Sequence, residues 1–332
     1  MADSIFSNTS LLNLPAWCSS TCTYRFKSCP DDFRVTEVMA FEPSGSGEHC
    51  ILEVTKWDLP TMDVVRRIAR TLNIPARDIG YCGLKDKVAV TTQWLSVPTP
   101  VNDTRDWQLT NGDGVDVRFL GRHIKKLRTG VHHGNRFEIV LRDVEGDHEA
   151  IEARLNALAG GFPNLFGPQR FGRDYSNLHH FERWQRGSRL KRAAKSMSTS
   201  AIRSMAFNQA VASRLMDSGL QIVKPGDWLM WRGSQSVFQS DGSEVDQLRL
   251  QQFELDLALP LLDEKVIWNH LVQWGEWPSW QDTIDQYQGS HVHWRRVWAT
   301  PGNLHWYGHD NDLTLEMDLG VGVYATSLLD AL

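Results

Sequence analysis

The first 160 residues alternate between strand-like and helix-like patterns, and this alternation restricts the possible folds more than any other feature of the sequence. Residues 33–38, 49–54 and 88–97 are rich in alternating apolar and β-branched side chains, which predicts three strands. Between the second and third strands, residues 61–72 carry apolar side chains at helical spacing, and Thr61 is predicted to be the N-cap of this helix. The pattern favours a domain built on a sheet with helices.

The same domain is predicted to be interrupted and then completed at the end of the chain. Residues 137–141 alternate as a further strand, and residues 147–159 form a predicted helix that ends at two glycines. After residue 162 the sequence changes to a basic helix and then to a tryptophan-rich region, and clean alternation returns only at residues 313–319. This last strand has no obvious partner among its sequence neighbours, so it is expected to join the N-terminal sheet.

The segment 80–93, GYCGLKDKVAVTTQ, places one carboxylate between two lysines on a turn that leads into a strand. Lys85 and Lys87 favour the charged form of Asp86 if all three side chains point into one pocket. Successive side chains usually diverge, however, so the alternative is a solvated turn of mixed charge. Taken alone, the segment fits an ordinary surface turn better than a reactive carboxylate.

Four further motifs accompany this segment, and together the five resemble the signature of the tRNA pseudouridine synthase D (TruD) family. Segment 80–93 is similar to the family's G-x-x-G-x-K-D-K run followed by A-x-T-x-Q. The other motifs occur in the family's order: Lys27 with PDDFRVTE (30–37), GRHIKKLRTGVHHGNRFEIVLRDV (121–144), FPNLFGPQRFG (162–172) and GVYATS (322–327). Five ordered motifs span nearly the whole chain, so the resemblance is specific.

The resemblance implies both a fold and a reaction. The implied fold is α+β, with a pseudouridine-synthase-type catalytic domain of residues 1–161 and 304–332 that has helices and a mixed, mainly antiparallel sheet. Residues 162–303 are the implied insertion, a family-specific α/β domain. The implied reaction is isomerisation of uridine to pseudouridine in tRNA, at uridine 13 of the D arm, by an aspartate and without a cofactor. The implied partner is tRNA, and no obligate protein partner is expected.

The resemblance also implies roles for single residues. Asp86 is the implied catalytic carboxylate, which could attack C1′ or C6 or act as a base at C2′. Lys27 would hold Asp86 ionised and contact the substrate, while Phe33, Asn135 and Phe137 would line the uracil pocket. Without the resemblance, Lys27 would be an ordinary surface lysine and the two phenylalanines would be core residues on buried strand faces.

The net charge of −5 conceals two basic tracts. Residues 117–137 hold six Lys/Arg and residues 183–214 hold eight, and neither tract contains Asp or Glu. Such tracts can neutralise phosphates, although two solvated basic faces would have the same composition. The candidates for contact with the RNA backbone are Arg122, Lys125, Lys126, Arg128 and Arg170. Arg170 could instead fix the chain where it passes into the insertion.

The cysteines and the hydropathy of the chain indicate where the protein is found and whether it binds a metal. The five cysteines are an odd count and no secretory signal is recognisable, so reduced thiols and a cytoplasmic protein are expected. No apolar run approaches the roughly 18 residues of a membrane span. Cys18, Cys22 and Cys29 lack the second close pair typical of zinc sites, so no metal is expected. A monomer is the default. The rival hypotheses are a non-catalytic RNA-binding protein and a metal-dependent nucleic-acid hydrolase.

Overall fold

The computed structural model describes residues 5–7, 11–12, 17–102, 107, 112–287 and 293–332. The chain divides into two compact units. We call Thr21–Ala159 with Pro301–Gly322 the sheet unit, and Met1–Ser20 with Gly160–Thr300 and Val323–Leu332 the helical unit. The terminal segments thus group with the residues after 160. The assignment of 1–161 and 304–332 to catalysis, and of 162–303 to a family-specific insertion, stays a prediction.

The sheet unit is a large sheet with two helices, and it contains most of the strands. Its strands are β1 (Cys22–Phe26), β2 (Phe33–Val38), β3 (His49–Trp57), β4 (Gly80–Tyr81), β5 (Val90–Pro98), β6 (Val115–His123), β7 (Gly134–Gly146), β14 (Gly302–His309) and β15 (Asp312–Gly320). Its helices are α1 (Thr61–Leu72) and α2 (His148–Ala159). The main strand order is β14-β15-β7-β2-β5-β3-β6, with β1 on β7 and β4 on β5. Only β2 and β5 pair in parallel among the described strands, which confirms the predicted α+β class with a mixed, mainly antiparallel sheet.

The strand at residues 313–319 joins the sheet as predicted, as part of β15. Its residues pair antiparallel with β7, so that Leu315 lies opposite Ile139 and Met317 opposite Phe137 on the buried face. The expectation that β15 lacks a partner nearby in sequence was wrong, because β14 forms a hairpin with it. Much of β14 is exposed, so it lacks the apolar alternation by which a half-buried strand is recognised.

Helix α1 has the predicted bounds, but its N-cap differs from the prediction. Pro60, not Thr61, occupies the N-cap position, and Thr61 is the first helical residue, with its side chain buried. The apolar stripe that contains Val64, Val65 and Ile68 packs in one core cluster with Leu52 and other residues of the sheet. Burial of this stripe positions the start of the helix, where Thr61 becomes available for contacts with other elements.

The helical unit is built around one long helix and a small antiparallel sheet. Its helices are α3 (Ser176–Gln185), α4 (Arg192–Asp217), α5 (Glu244–Gln251), α6 (Glu264–Trp274), α7 (Trp280–Asp285) and α8 (Ala325–Leu329). Its strands are β8 (Phe162–Pro163), β9 (Trp228–Trp231), β10 (Val237–Gln239), β11 (Leu255–Pro260), β12 (Trp294–Arg296) and β13 (Trp298–Ala299). The sheet order is β10-β9-β11-β12, and β8 pairs with β13. The buried face of α4, including Ile202, Met205 and Phe207, forms the centre of this unit's core.

Two further observations concern the chain as a whole. Across the described ranges, none of the helices combines the length and the apolar character needed to cross a membrane. Among the cysteines, Cys22, Cys50 and Cys82 are buried, whereas Cys29 is exposed.

Candidate active site

Asp86 lies in the loop between β4 and β5 of the sheet unit. This loop follows Gly80, whose position tolerates no side chain, because a Cβ there would lie 2.4 Å from Ser96 Oγ and 2.5 Å from the carbonyl oxygen of Leu127. The glycine of the motif therefore allows close packing at the start of the loop. The loop places the Asp86 carboxylate beside Lys27, which lies 59 residues earlier in the sequence.

Lys27 and Asp86 form the ion pair at the centre of the candidate site. Lys27 Nζ donates a hydrogen bond of 2.5 Å to Asp86 Oδ2, and the side chains are 20% and 41% exposed, respectively. The Lys27 backbone has a positive φ of 56°, which is uncommon for a residue with a side chain. Its ammonium also lies 3.8 Å from the centre of the Phe33 ring. The carboxylate is thus paired but still open to solvent.

A second lysine supports Asp86 from the interior of the sheet. Lys56 is fully buried, and its Nζ donates a hydrogen bond of 2.7 Å to the backbone carbonyl oxygen of Asp86. Burial lowers the pKa of Lys56 to about 8, against the opposing attraction of Asp86. At neutral pH, Lys56 is therefore mostly charged. It anchors the backbone of Asp86 and adds positive potential beneath the carboxylate.

Lys85, the residue before Asp86, points into a buried polar network instead of toward the carboxylate. Its Nζ donates a hydrogen bond of 2.5 Å to Asn135 Oδ1 and lies 3.0 Å from Glu37 Oε1. Glu37 Oε2 accepts a hydrogen bond from the backbone N–H of Trp94. Burial raises the pKa of Glu37, and the nearby Lys85 charge acts in the opposite direction. Because an ammonium can only donate, Lys85 fixes the Asn135 amide with its oxygen inward and its NH2 group directed elsewhere.

Thr61 connects the start of α1 to the catalytic loop. Its Oγ1 accepts a hydrogen bond of 2.9 Å from the backbone N–H of Lys85 and donates one of 2.8 Å to Gln93 Oε1. Gln93 in turn donates through Nε2 to the carbonyl oxygen of Gly83, at 3.2 Å. Thr61 and Gln93 are both buried. This chain of bonds holds the backbone of the loop on both sides of Leu84.

The two phenylalanines lie on the same buried face as the polar network. Strands β2 and β7 pair so that Val35 is opposite Phe137 and Glu37 is opposite Asn135. Phe33 is 5% exposed and Phe137 is 7% exposed, and their ring centres are 5.8 Å apart. The structure therefore brings both rings into the neighbourhood of Lys27. Their proposed contact with uracil stays a prediction, as do all the roles assigned to single residues.

Two buried groups near Lys85 are neutral at physiological pH. Burial, together with the Lys85 charge, lowers the pKa of His132 to about 4. Burial, together with the Glu37 charge, raises the pKa of Cys82 to about 12. At neutral pH the Cys82 thiol is therefore protonated and a poor nucleophile, and His132 carries no charge. Within the described ranges, no group of three His, Cys, Asp or Glu residues is arranged to hold a metal ion.

The candidate RNA-backbone residues fall into two structural classes. Arg122 and Lys126 donate hydrogen bonds to backbone carbonyl oxygens of Pro100 and Arg77, respectively, so their charges are partly committed to the fold. Lys125 and Arg128 are exposed in the segment between β6 and β7. Arg170 belongs to the helical unit.

Folding also neutralises part of the basic tract 117–137. Arg118 pairs with Glu53 on the neighbouring strand β3, and Arg136 pairs with Asp318 on β15. The charge segregation along the sequence is therefore only partly retained in space.

Comparison with known proteins identifies the family to which this chain is related. The family model described as tRNA pseudouridine synthase D (TruD) matches residues 13–183. A tRNA pseudouridine synthase D of Legionella pneumophila (strain Lens) is 34% identical over 330 residues, which cover 96% of this chain and 97% of that protein. The chain belongs to the tRNA pseudouridine synthase D family. The namesake of Methylococcus capsulatus is 41% identical over 229 residues, and this match spans 68% of the chain but only 65% of that protein.

A solved structure supports the fold of this family member. The crystal structure from Methanosarcina mazei that is assigned to tRNA pseudouridine synthase D superimposes with a TM-score of 0.68. The match covers 96% of this chain and 95% of that one, at 20% sequence identity. At this identity the comparison bears on the fold alone.

Proposed function

We propose that this member of the tRNA pseudouridine synthase D family isomerises uridine to pseudouridine in tRNA, with Asp86 as the catalytic carboxylate. One observation carries the proposal: Asp86 is a partly exposed carboxylate that is paired with Lys27 at 2.5 Å and supported from below by the buried Lys56. The site thus offers a charged oxygen to a substrate while its backbone is held by the sheet.

The proposed reaction makes specific demands on such a site. The N1–C1′ bond of uridine breaks, the uracil turns, and a C5–C1′ bond forms, while the proton on C5 is lost and N1 gains one. No electron is gained or lost overall, so the conversion requires neither an oxidant nor a reductant. What it requires is a carboxylate that attacks C1′ or C6 or removes the C2′ proton, and a pocket that keeps the detached base in place.

The residues around Asp86 are suited to these tasks. Lys27 can stabilise negative charge that develops on the carboxylate or on the detached uracil. Asn135, with its oxygen held by Lys85, can donate from its NH2 group to a uracil carbonyl, which would favour uracil over cytosine at the O4 position. Phe137 can stack on the base if the pocket opens around the ring.

The identity of the substrate rests on the family resemblance. We infer that the target is uridine 13 in the D arm, and that the base leaves its stack to reach Asp86 at a cost of a few kcal/mol. The exposed Lys125 and Arg128 provide charges for contacts with the RNA backbone.

The experiment compares the wild type, Asp86→Asn and Asp78→Asn on unmodified tRNA transcripts, with pseudouridine mapped by position. Asp78 is a matched control, since it is 46% exposed and belongs to the same unit. We expect the wild type and Asp78→Asn to form pseudouridine at position 13, and Asp86→Asn to bind tRNA without forming product. Substantial turnover by Asp86→Asn would contradict the proposed role of the carboxylate.

The same assay separates the rival functions. A wild-type protein that binds many tRNAs but forms no pseudouridine would be a non-catalytic RNA-binding protein. Cleavage of the RNA that stops when a chelator is added would instead indicate a metal-dependent hydrolase.

A further inference from the structure

A cavity of about 610 Å³ in the helical unit is lined by basic and hydroxyl side chains. Most of the lining comes from one face of α4, where the residues recur at spacings of three and four: Arg192, Lys195, Ser196, Thr199, Ser200 and Arg203. Arg170, Phe166, Leu261 and His293 complete it together with Ser204. None of the described lining residues is acidic. The cavity therefore presents four cations and several hydroxyl donors to whatever enters it.

Three of the four cations are not neutralised within the part of the chain that the structure describes. Arg203 is the exception, because its Nε donates to the carbonyl oxygen of Leu262 and lies 3.7 Å from Glu264 Oε2. Arg192 and Lys195 are exposed, and no described carboxylate lies within 4.0 Å of either. Lys195 Nζ instead lies 4.1 Å from the centre of the Trp184 ring.

Arg170 is held at the cavity wall with an unused donor. Its Nη1 donates to Ser200 Oγ at 3.1 Å, while its Nε is buried and has no partner among the described residues. The guanidinium lies 5.3 Å from the centre of the Phe166 ring. A buried donor without a partner is costly, so its retention indicates a ligand or a solvent molecule that completes the site.

A second guanidinium group lies close to the Phe166 ring. The Arg295 guanidinium lies 3.9 Å from the centre of the same ring and donates to the backbone and side-chain oxygens of Asn164, both of which are uncharged acceptors. Burial lowers the pKa of Arg295 to about 10, and the charge of Arg170 contributes in the same direction. The protein thus holds two guanidinium groups close together without a described carboxylate between them, which an anion would relieve.

The N-terminus of α4 adds to the positive potential of the cavity. The helix begins at Arg192, and its first turn contains no acidic residue. The amide groups at a helix N-terminus carry partial positive charge, so basic residues are unfavourable there and anions are favourable. Arg192 and Lys195 are also three residues apart on one helix face, where like charges repel. This arrangement is unfavourable for an isolated protein and favourable for one that binds a phosphate.

We propose that this cavity, which we call the α4 pocket, binds a phosphodiester of an RNA backbone through Arg170, Arg192 and Lys195, with Ser196, Thr199 and Ser200 as hydroxyl donors. The inference rests on the proposed function in one respect, which is that the RNA is taken to be tRNA. A phosphodiester suits the pocket because its oxygens accept from guanidinium, ammonium and hydroxyl groups at once. The pocket volume also leaves room for the adjoining ribose.

The test measures the affinity of the full chain for an unmodified tRNA transcript as a function of KCl concentration. The variant is Arg192→Gln/Lys195→Gln, and the control is Arg249→Gln/Lys224→Gln, whose residues pair with Glu254 and Asp217 in the same unit. Each phosphate contact contributes about 0.9 to the slope of log affinity against log salt. We expect the variant to bind more weakly with a slope shallower by about 1, and the control to match the wild type. Both substituted positions are exposed and their removal relieves like-charge repulsion, so the thermal unfolding temperature should not fall.

A slope and affinity equal to the wild type would overturn the proposal. Inorganic phosphate, titrated at constant ionic strength, distinguishes a second source of the same chemistry. If it bound the wild type but not the variant, while the tRNA slope stayed unchanged, the pocket would belong to a free anion and the RNA proposal would again be overturned. Because the readout is binding, it is independent of catalysis. Absence of pseudouridine would contradict the proposed function but would not bear on the α4 pocket. Normal pseudouridine formation together with an unchanged salt slope in the variant would contradict the α4 pocket but not the proposed function.

Discussion

Lys56 Nζ donates a hydrogen bond of 2.7 Å to the backbone carbonyl oxygen of Asp86, although the lysine is fully buried in the sheet. A buried ammonium is costly to maintain. Its bond to the backbone of a candidate catalytic residue links that cost to function, because the ammonium fixes the loop and adds positive potential near the carboxylate.

Lys56→Met should change the pH dependence of stability. Burial lowers the pKa of Lys56 to about 8 in the folded protein, from its ordinary value of 10.5. Between these values the unfolded chain holds more protons, so this group makes the free energy of unfolding rise with pH, by at most about 3 kcal/mol. Urea denaturation at pH 7 and pH 10 should show this rise in the wild type and its absence in Lys56→Met. Parallel behaviour of the two proteins would contradict the lowered pKa of Lys56 in the folded protein.

The rate of pseudouridine formation should also depend on Lys56, but it should fall with rising pH where stability rises. Turnover by the wild type should fall as pH rises through about 8, where Lys56 loses its charge. Lys56→Met should be slower at pH 7, by about 100-fold if the ammonium acts as strongly as a preorganised donor in other active sites. Its turnover should also lack the decline at alkaline pH. If turnover by Lys56→Met still declined at alkaline pH, a group other than Lys56 would be responsible for the decline.

Thr61→Val should weaken both the loop and the activity. Valine has the shape of threonine but would leave the backbone N–H of Lys85 and the side-chain oxygen of Gln93 without their present partner. Leaving such buried groups unpaired costs about 2 kcal/mol in the free energy of unfolding. Thr61→Ser keeps the hydroxyl and is the matched control, expected to retain most of the stability and turnover. A large loss in Thr61→Ser with little loss in Thr61→Val would show that the methyl group, not the hydroxyl, is what matters.

Lys85→Met should leave the buried Glu37 unpaired. Breaking a buried pair in this way destabilises a protein by about 3 to 5 kcal/mol. Burial already raises the pKa of Glu37, and loss of Lys85 removes the positive charge that most strongly opposes this rise. The folded protein will then take up a proton at higher pH than the unfolded chain, so the deficit in stability should shrink as pH falls toward 5. Denaturation of Lys85→Met and wild type at pH 5 and pH 8 measures this change.

A double variant separates stability from the positioning of Asn135. Glu37→Gln/Lys85→Met removes both charges, so it should recover much of the stability lost in Lys85→Met. Its turnover should stay low, because no ammonium then orients the Asn135 amide. If turnover recovered together with stability, Lys85 would have only a structural role.

Periodicity predicted those elements whose burial pattern is regular. Helix α1 has an apolar stripe against the sheet and was predicted with its bounds, and strand β2 was also predicted with the bounds Phe33–Val38. Strand β14 was missed because much of it is exposed, and exposure removes the alternation that periodicity detects. The motif around Asp86 marked the family correctly, as the matches to its members confirm.

The residues that hold the Asp86 loop in place were harder to predict from the sequence. Alternation along β3 puts Lys56 on the same face as Cys50, Leu52 and Val54, so an inward-facing lysine could have been noticed in the sequence. Nothing local linked it to Asp86, which is 30 residues away. Thr61 suggested a helix cap by its position, but its hydroxyl bonds to Lys85 and Gln93 instead.

The sequence by itself determined the regular elements, the family and the candidate carboxylate, because periodicity and short motifs are properties of neighbouring residues. Tertiary structure decided which charges meet: Lys27 with Asp86, Lys85 with Glu37, and Arg136 with Asp318. The physical reason is that electrostatic and hydrogen-bond partners are chosen by strand register and loop path. These bring together groups far apart in the chain, and burial then sets how strongly each group acts on the other.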